Sequence, residues 1–399
     1  MGKHSLTKVA AFGAVGALAL TACSNTSSSG GGGGLSGGGG STASAGGSSS
    51  VKIAFQGPLS GDNAQLGINE VNAVQLAVDQ ANKNNTYGFQ VTLLKSDDVG
   101  DPAKAPAAAT TIQQDPAVMG VVGPSFSGAT KAVGASYDAA NLVLISPSAT
   151  NPTLTSQGFK SFHRVVPPDS LEGKLAGDWL ATKAKNVFVI DDLSDYGKGA
   201  ADAVEEELKA KGVKTTRQGV DAKTTDYSVI AQTVKASGAD AMFYGGYDAQ
   251  AALLAKALKA TSYPGVVMTG NGGKSSVFTK NAGDSGNKWY FSCGCLDATV
   301  APSAKAFTDA YQAAFSTPPS TYSPEAYDAT NALLTAIKSV KDKGNVTRQA
   351  VFDAVKSVDY KGITTQIKFE ANGEVQQQVI NLYQQKDGVI QLTGDITKS

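Results

Sequence analysis

The chain is poor in the residues that carry most enzyme chemistry. Its 399 residues include two histidines, three cysteines, four methionines and two tryptophans. Only His163 lies beyond the N-terminal leader, so any Ser-His-Asp or Cys-His system would have to use it. It sits in the apolar run "SFHRVV", and no G-x-S-x-G elbow accompanies it; "GPSFSGA" has the wrong spacing. His163 is therefore expected to be packed at a surface or hinge. The sequence has no H-E-x-x-H and no other cluster of His, Cys and carboxylates, which argues against a catalytic metal. "DDVGD", Asp97–Asp101, lacks the calcium-loop spacing and its terminal Glu; it reads as a polar loop opening the next helix. Net charge is missing too. Lys and Arg balance Asp and Glu at 34 each, so no overall field draws nucleic acid or an anionic membrane.

Long apolar runs are scarce. Lys3, His4 and Lys8 precede Val9–Leu20, which is too short to span a bilayer comfortably and fits the core of a signal peptide. The run ends at "LTAC", Leu20–Cys23, which resembles the bacterial lipobox and makes Cys23 the expected site of lipidation. An acyl chain would replace a spanning helix, each buried CH₂ contributing about 0.8 kcal/mol. Ser24–Ser50 are almost all Gly, Ser, Thr and Ala, too little apolar surface to offset ordering entropy. As a flexible coil this tether would hold its ends roughly 30 Å apart. The folded part is thus expected outside the membrane, where the two remaining cysteines, Cys293 and Cys295 in "YFSCGCLD", can form a disulfide or stay as thiols.

From Val51 the pattern is strand, turn, helix, repeated. "VKIAFQG", "FQVTLLKSDD", "VMGVVGP" and "LVLISPS" are strands separated by helices; "NVFVIDD", "VKTTRQGV", "AMFYGGY" and "GVVMTG" repeat the rhythm. Continuous apolar strands alternating with helices indicate parallel sheets covered on both faces. Between the two sets, Phe162–Ser170, "FHRVVPPDS", reads as an extended interdomain crossing. Helical stretches at Ser303–Phe315, Pro324–Lys343 and Thr347–Ser357 lead to a closing hairpin that turns at Asp387-Gly388. The fold class is therefore α/β, two doubly wound lobes. Ligands of such sheets bind at strand carboxyl ends. There "GPSFSGAT" offers Ser125 and Ser127 at a helix N-terminus, a position that favours a carboxylate. "ISPSATNPTLT" adds Ser148 and Thr150, while "DDLSDYGKG" and "FYGGYDAQ" bring Tyr196 and Tyr247 from the other set. "MTGNGGKS", Met268–Ser275, looks like a phosphate loop, but the fingerprint needs glycine where Met268 stands.

These loops, in this order, resemble the type I bacterial solute-binding proteins, most closely the branched-chain amino-acid (Leu/Ile/Val) binding proteins of ABC importers. "ISPSATNPTLT", "DYGKGAADAV", "YGGYDAQAALLAKALKA" and "KFEANGEV" carry the resemblance, which covers nearly all of Val51–Leu392. It implies the periplasmic-binding-protein-like type I fold with three hinge crossings, no catalysis and no cofactor. Its implied division is a leader at 1–22, a lipidated Cys and tether at 23–50, lobe 1 at 51–166 plus 296–364, and lobe 2 at 167–295 plus 365–399. A monomer is implied, held to the extracytoplasmic face of the bacterial cell membrane only by its lipid and delivering a small solute to ABC permease subunits.

The resemblance also implies roles. Positions matching Ser127 and Thr150 hold the amino acid's carboxylate, and the carbonyl matching Ser148 meets its ammonium. Leu66, Ser125, Phe126 and Tyr322 match the surroundings of the side chain, with Tyr196 and Tyr247 closing over it. Where the family has an acid for the ammonium, this chain has Asn271. An asparagine supplies no counter-charge, so the expectation is that Asp248 or Glu325 compensates, or that the solute is a keto acid, amide or aromatic acid. A ligand-sensing domain is the other role the loops would suit.

Overall fold

The computed structural model describes residues 50–399; the leader, Cys23 and nearly all of the tether lie outside the described residues. The first sheet contains β1 (Ser50–Gly57), β2 (Gln90–Asp97), β3 (Val118–Val122), β4 (Leu144–Ser146) and β5 (Phe162–Arg164), in the order β2-β1-β3-β4-β5. All its pairings are parallel. Helices α1 (Ala64–Asn84), α2 (Ala105–Gln113) and α3 (Ser127–Ala139) make the crossovers. In α1 the residues Leu66, Glu70, Val74, Ala77 and Ala81 are buried at spacings of three or four, so one stripe faces the sheet.

The segment Phe162–Ser170 is not a single extended crossing. Phe162–Arg164 joins the first sheet beside β4, and Asp169 already belongs to α4 (Asp169–Lys183). Only Val165–Pro168 connect them, with Pro168 extended at the helix start. His163 is buried in β5, its Nδ1 3.0 Å from the Ser161 carbonyl and its ring edge-on to Phe369. It is a packed core histidine.

The second sheet has the order β14-β13-β10-β9-β8-β6-β7. It is built from β6 (Asn186–Asp191), β7 (Lys214–Gly219), β8 (Ala241–Gly245), β9 (Val266–Thr269), β10 (Tyr290–Cys293), β13 (Asn381–Lys386) and β14 (Val389–Asp395). The first five of these are parallel, while β13 runs antiparallel to β10 and to β14. Helices α5 (Asp195–Ala210), α6 (Ser228–Ala236), α7 (Asp248–Thr261) and α8 (Ser276–Ala282) follow the parallel strands. The β13–β14 hairpin turns at Asp387 (φ 50) and Gly388 (φ 74); two positive φ values define the turn that matches strand twist, and glycine carries one without strain.

Beyond Leu296 the chain returns to the first sheet. Helices α9 (Lys305–Phe315), α10 (Ser323–Lys341) and α11 (Arg348–Val355) share its core with β1 and β3. Buried nearly all round, α10 lies beside α1, and Tyr87 donates across to the Asn331 side chain at 2.9 Å. A small ladder, β11 (Tyr360–Lys361) with β12 (Gln366–Ile367), follows. One boundary shifts here: Ile367, Phe369 and Val375, expected with the second lobe, pack in the core of the first. Only from about Ile380 does the chain serve the second sheet. Among the described residues no helix is long and apolar enough to cross a membrane. Cys293 and Cys295, at the end of β10, form a disulfide.

Candidate functional site

Both sheets present their strand carboxyl ends to one another, and the loops there interlock. After β3, Phe126 caps α3 in extended conformation. Its ring stacks on Tyr247, from the loop before α7, at 4.3 Å between centroids. Tyr247 in turn lies 5.1 Å from Tyr196 at the start of α5. One aromatic column therefore joins the two sheets. Leu66 and Tyr322 belong to the same apolar cluster as Phe126.

The hydroxyls form a second layer. Ser148 Oγ donates to the Ser125 carbonyl at 2.7 Å, and Ser127 Oγ accepts from the Asn151 amide at 3.2 Å. Arg164 braces this loop from behind: its Nη1 donates to the Ala149 and Asn151 carbonyls at 3.1 and 3.0 Å. The same guanidinium forms a bidentate pair with Glu374, with Nε at 2.8 Å. A planar fork suits this double task.

"GNGG" is explained by contact with Tyr196. A Cβ on Gly270 would stand 2.8 Å from the Tyr196 hydroxyl, and one on Gly272 2.5 Å from its ring. The Gly272 amide donates to that hydroxyl at 2.9 Å. Glycine is required so that backbone can lie against the ring, not to surround a phosphate.

Asn271 is held by an acid that the sequence reading did not single out. Glu172, on the first turn of α4, accepts from the Asn271 amide N–H at 3.0 Å and from Nδ2 at 2.7 Å. Ser292 Oγ and the Gly294 amide donate to the same carboxylate at 2.9 and 3.4 Å. The two acids expected to compensate Asn271 are both engaged elsewhere, although Glu325 keeps its second carboxylate oxygen unpartnered. Asp248 accepts from Ser275 Oγ and from the Ala249 amide of its own helix. Glu325 accepts from the Leu296 amide at 2.7 Å, on the segment that leads back to the first sheet.

One turn before Glu172 stands Asp169, 1% exposed, whose carboxylate oxygens make no well-formed hydrogen bond although Thr150 and Asn271 lie close by. Its backbone N–H donates to the Thr150 carbonyl at 2.8 Å. Burial, reinforced by the Glu172 charge, pushes its carboxyl up to about 8, with Thr150 and Asn271 close enough to pull the other way. Thr150 Oγ1 and the Tyr322 hydroxyl are also buried and unpartnered. On the first sheet's side Glu70 accepts from Ser125 Oγ, and burial pushes it up to about 8. Buried polar atoms without partners are uncommon. Others lie elsewhere in the chain, but those of Asp169, Thr150 and Tyr322 lie close together here.

Thus Ser125, Phe126, Ser127, Ser148, Thr150, Tyr196, Tyr247, Asn271, Tyr322 and Leu66 all lie on or directly behind the interlocked loops. Sequence reasoning missed Asp169, Glu172 and Glu70. The signals were an acid directly after Pro-Pro at a helix start, and an acid inside an otherwise apolar stripe of α1. Among the described residues no group of three or more His, Cys, Asp or Glu could hold a metal ion.

Comparison with known proteins places these features in context. The family described as periplasmic binding protein matches residues 50–389. The leucine-, isoleucine-, valine-, threonine- and alanine-binding protein of Pseudomonas aeruginosa is 28% identical over 345 residues, covering 84% of this chain and 90% of that one. A Leu/Ile/Val-binding protein of Rhizobium johnstonii, BraC3, is 29% identical, with 85% and 93% covered. Among solved structures, the branched-chain amino-acid substrate-binding protein LivJ of Streptococcus pneumoniae, in complex with isoleucine, aligns with a TM-score of 0.77 at 27% identity, covering 86% of this chain and 99% of that one. The leucine-binding protein LivK of Thermotoga maritima shares the fold at a TM-score of 0.80 and 22% identity, with 86% and 98% covered.

Proposed function

The chain belongs to the periplasmic binding protein family, and from that premise we propose that it is an extracytoplasmic receptor for a small aliphatic amino acid. It takes the solute at the junction of its two sheets and delivers it, unchanged, to an ABC importer. The observation that carries this reading is the set of buried, unpartnered polar atoms: Thr150 Oγ1, both oxygens of Asp169 and the Tyr322 hydroxyl. A zwitterion satisfies such a set. Its carboxylate suits Ser127 and the amides at the start of α3, where the helix dipole is positive. Its ammonium suits Asp169, Thr150 Oγ1 and the Ser148 carbonyl.

Charge supports the same assignment. Asn271 brings no negative charge, but Glu172 lies bonded to it and Asp169 lies alongside. The acid has moved one residue behind the expected position rather than vanished. An ammonium bound to a buried carboxylate makes a charge-assisted bond roughly twice as strong as a neutral one. Phe126, Leu66 and Tyr322 then surround the aliphatic group. In this reading Cys23 bears the lipid, the glycine-rich tether spans the distance to the membrane, and the chain acts as a monomer without cofactor.

Calorimetric titration with leucine, isoleucine and valine against their keto acids tests the proposal. Micromolar or tighter binding of the amino acids, with the keto acids much weaker, is expected. Equal or tighter binding of the keto acids would remove the ammonium from the account, and the solute would then be an organic acid.

A further inference from the structure

A cavity of about 410 Å³ lies beside the interlocked loops, beyond the end of the Asn271–Gly273 turn. None of Ser127, Thr150, Asp169, Tyr196 or Tyr247 lines it. Its walls come from four places: the chain after β9, the segment leaving β10, the turn before α10 and the β13–β14 hairpin turn. Its volume falls in the ordinary range of small-molecule sites, roughly 300–1,000 Å³.

Lys274, the lysine of "GNGGKS", is part of its lining. The side chain is 7% exposed. Its Nζ has one polar contact, Thr321 Oγ1 at the long distance of 3.5 Å, and lies 4.3 Å from the centroid of the Tyr383 ring. Asp297 and Glu325 act on its charge from farther away, and Glu325 is already bonded to the Leu296 amide. A buried ammonium normally has a carboxylate in contact; this one has none within contact distance, and its residue lines the cavity. Lys280 adds a second positive charge at the rim, and Asp297 one negative charge whose Oδ1 is engaged by the Thr299 amide and hydroxyl. Among the lining residues, two cations less one anion leave one positive charge, and Glu325 behind the wall adds negative charge, so the cavity suits a monoanion better than a phosphate dianion. The remaining wall is apolar: Leu296, Ala298, Pro319, Val389 and Ile390. Val389 is 56% exposed at the opening.

We propose that this cavity is a second binding site, for a small monocarboxylate with an apolar tail, its carboxylate on Lys274 and its tail against Leu296, Pro319 and Ile390. The site bridges both halves of the molecule, because Thr321 Oγ1 also donates to the Lys274 carbonyl at 2.7 Å across the same gap.

Titration of the tether-free folded chain with hexanoate tests it, with inorganic phosphate as the comparison anion. Hexanoate should bind, and Lys274→Met should weaken it by about tenfold or more, the usual result of removing a charged hydrogen-bond partner. Val389→Asp, an exposed change that the fold tolerates, should weaken it through charge repulsion at the rim. Asp169→Asn should leave it unaltered. Phosphate binding as tight as hexanoate would overturn the apolar half of the assignment. Binding that survives both Lys274→Met and Val389→Asp, or that disappears with Ser127→Ala, would put the carboxylate elsewhere and end the proposal, as would no binding at all.

Discussion

Replacing Asp169 with asparagine isolates the charge on which the proposed amino-acid site depends. The amide is nearly the size of the carboxylate, so packing at the start of α4 is retained and the backbone N–H still reaches the Thr150 carbonyl. What is lost is a charge-assisted bond to the ammonium, about 1.5–3 kcal/mol. That corresponds to a fall in leucine affinity of about tenfold to 150-fold. A keto acid has no ammonium, and it should bind the variant as well as the native protein, because without an ammonium Asp169 stays largely protonated near pH 7. Stability should move the opposite way. The Asp169 carboxyl titrates near 8 in the folded chain against about 3.8 in the unfolded one. A group raised on folding stabilises the fold below its unfolded value, and that contribution is lost as pH rises through its folded value. The native, ligand-free protein should therefore lose stability between about pH 4 and pH 8, and Asp169→Asn should lose less. Calorimetry with leucine and its keto acid, beside melting curves at pH 5 and pH 8, reads both effects. An equal loss for both ligands would show that Asp169 only shapes the loop. No loss for either would remove it from the site.

Two further outcomes follow from the same geometry. Amino-acid binding at pH 7 should release protons, approaching one per site, because an ammonium beside Asp169 restores its ionised form; titrations in buffers of different ionisation enthalpy measure this, and affinity should climb from pH 6 to pH 8. Gly272→Val should abolish high-affinity binding and lower the melting temperature, since a Cβ there meets the Tyr196 ring at 2.5 Å; forcing such contacts typically costs 1–3 kcal/mol, and an unaffected melting curve would mean that the loop yields freely.

The repeating architecture was legible because its signals are local. Apolar strands ending in Gly, Ser or Asp, each followed by an amphipathic stripe, state their class without reference to partners. The hydroxyl loops were legible for the same reason: they follow strands, where doubly wound sheets bind ligands. Long-range neighbours were hidden. Glu172 lies 99 residues from Asn271, and nothing in "PPDSLEG" announces that pairing; an acid in a first helical turn is ordinary capping chemistry. Asp248 and Glu325, the acids expected to compensate, meet other donors, Ser275 Oγ and the Leu296 amide, which no local pattern announces. The three residues of β5 were too few to show periodicity beside Pro167-Pro168, and strand pairing came from β4. Residues 367–375 were expected in the second lobe, but an apolar residue in a short ladder fits either core, and these pack in the first.

The late return of α10 and α11 to the first sheet has a consequence for how the chain is made. Tyr87 waits for Asn331, 244 positions downstream, and Arg164 for Glu374, 210 downstream. Until those segments emerge, the core over β1, β3 and β4 is covered only in part, by α1, while the second sheet's parallel strands and helices are already complete between them. Closing such wide loops is slow. A chain of this design completes its first core only after its last segments have joined.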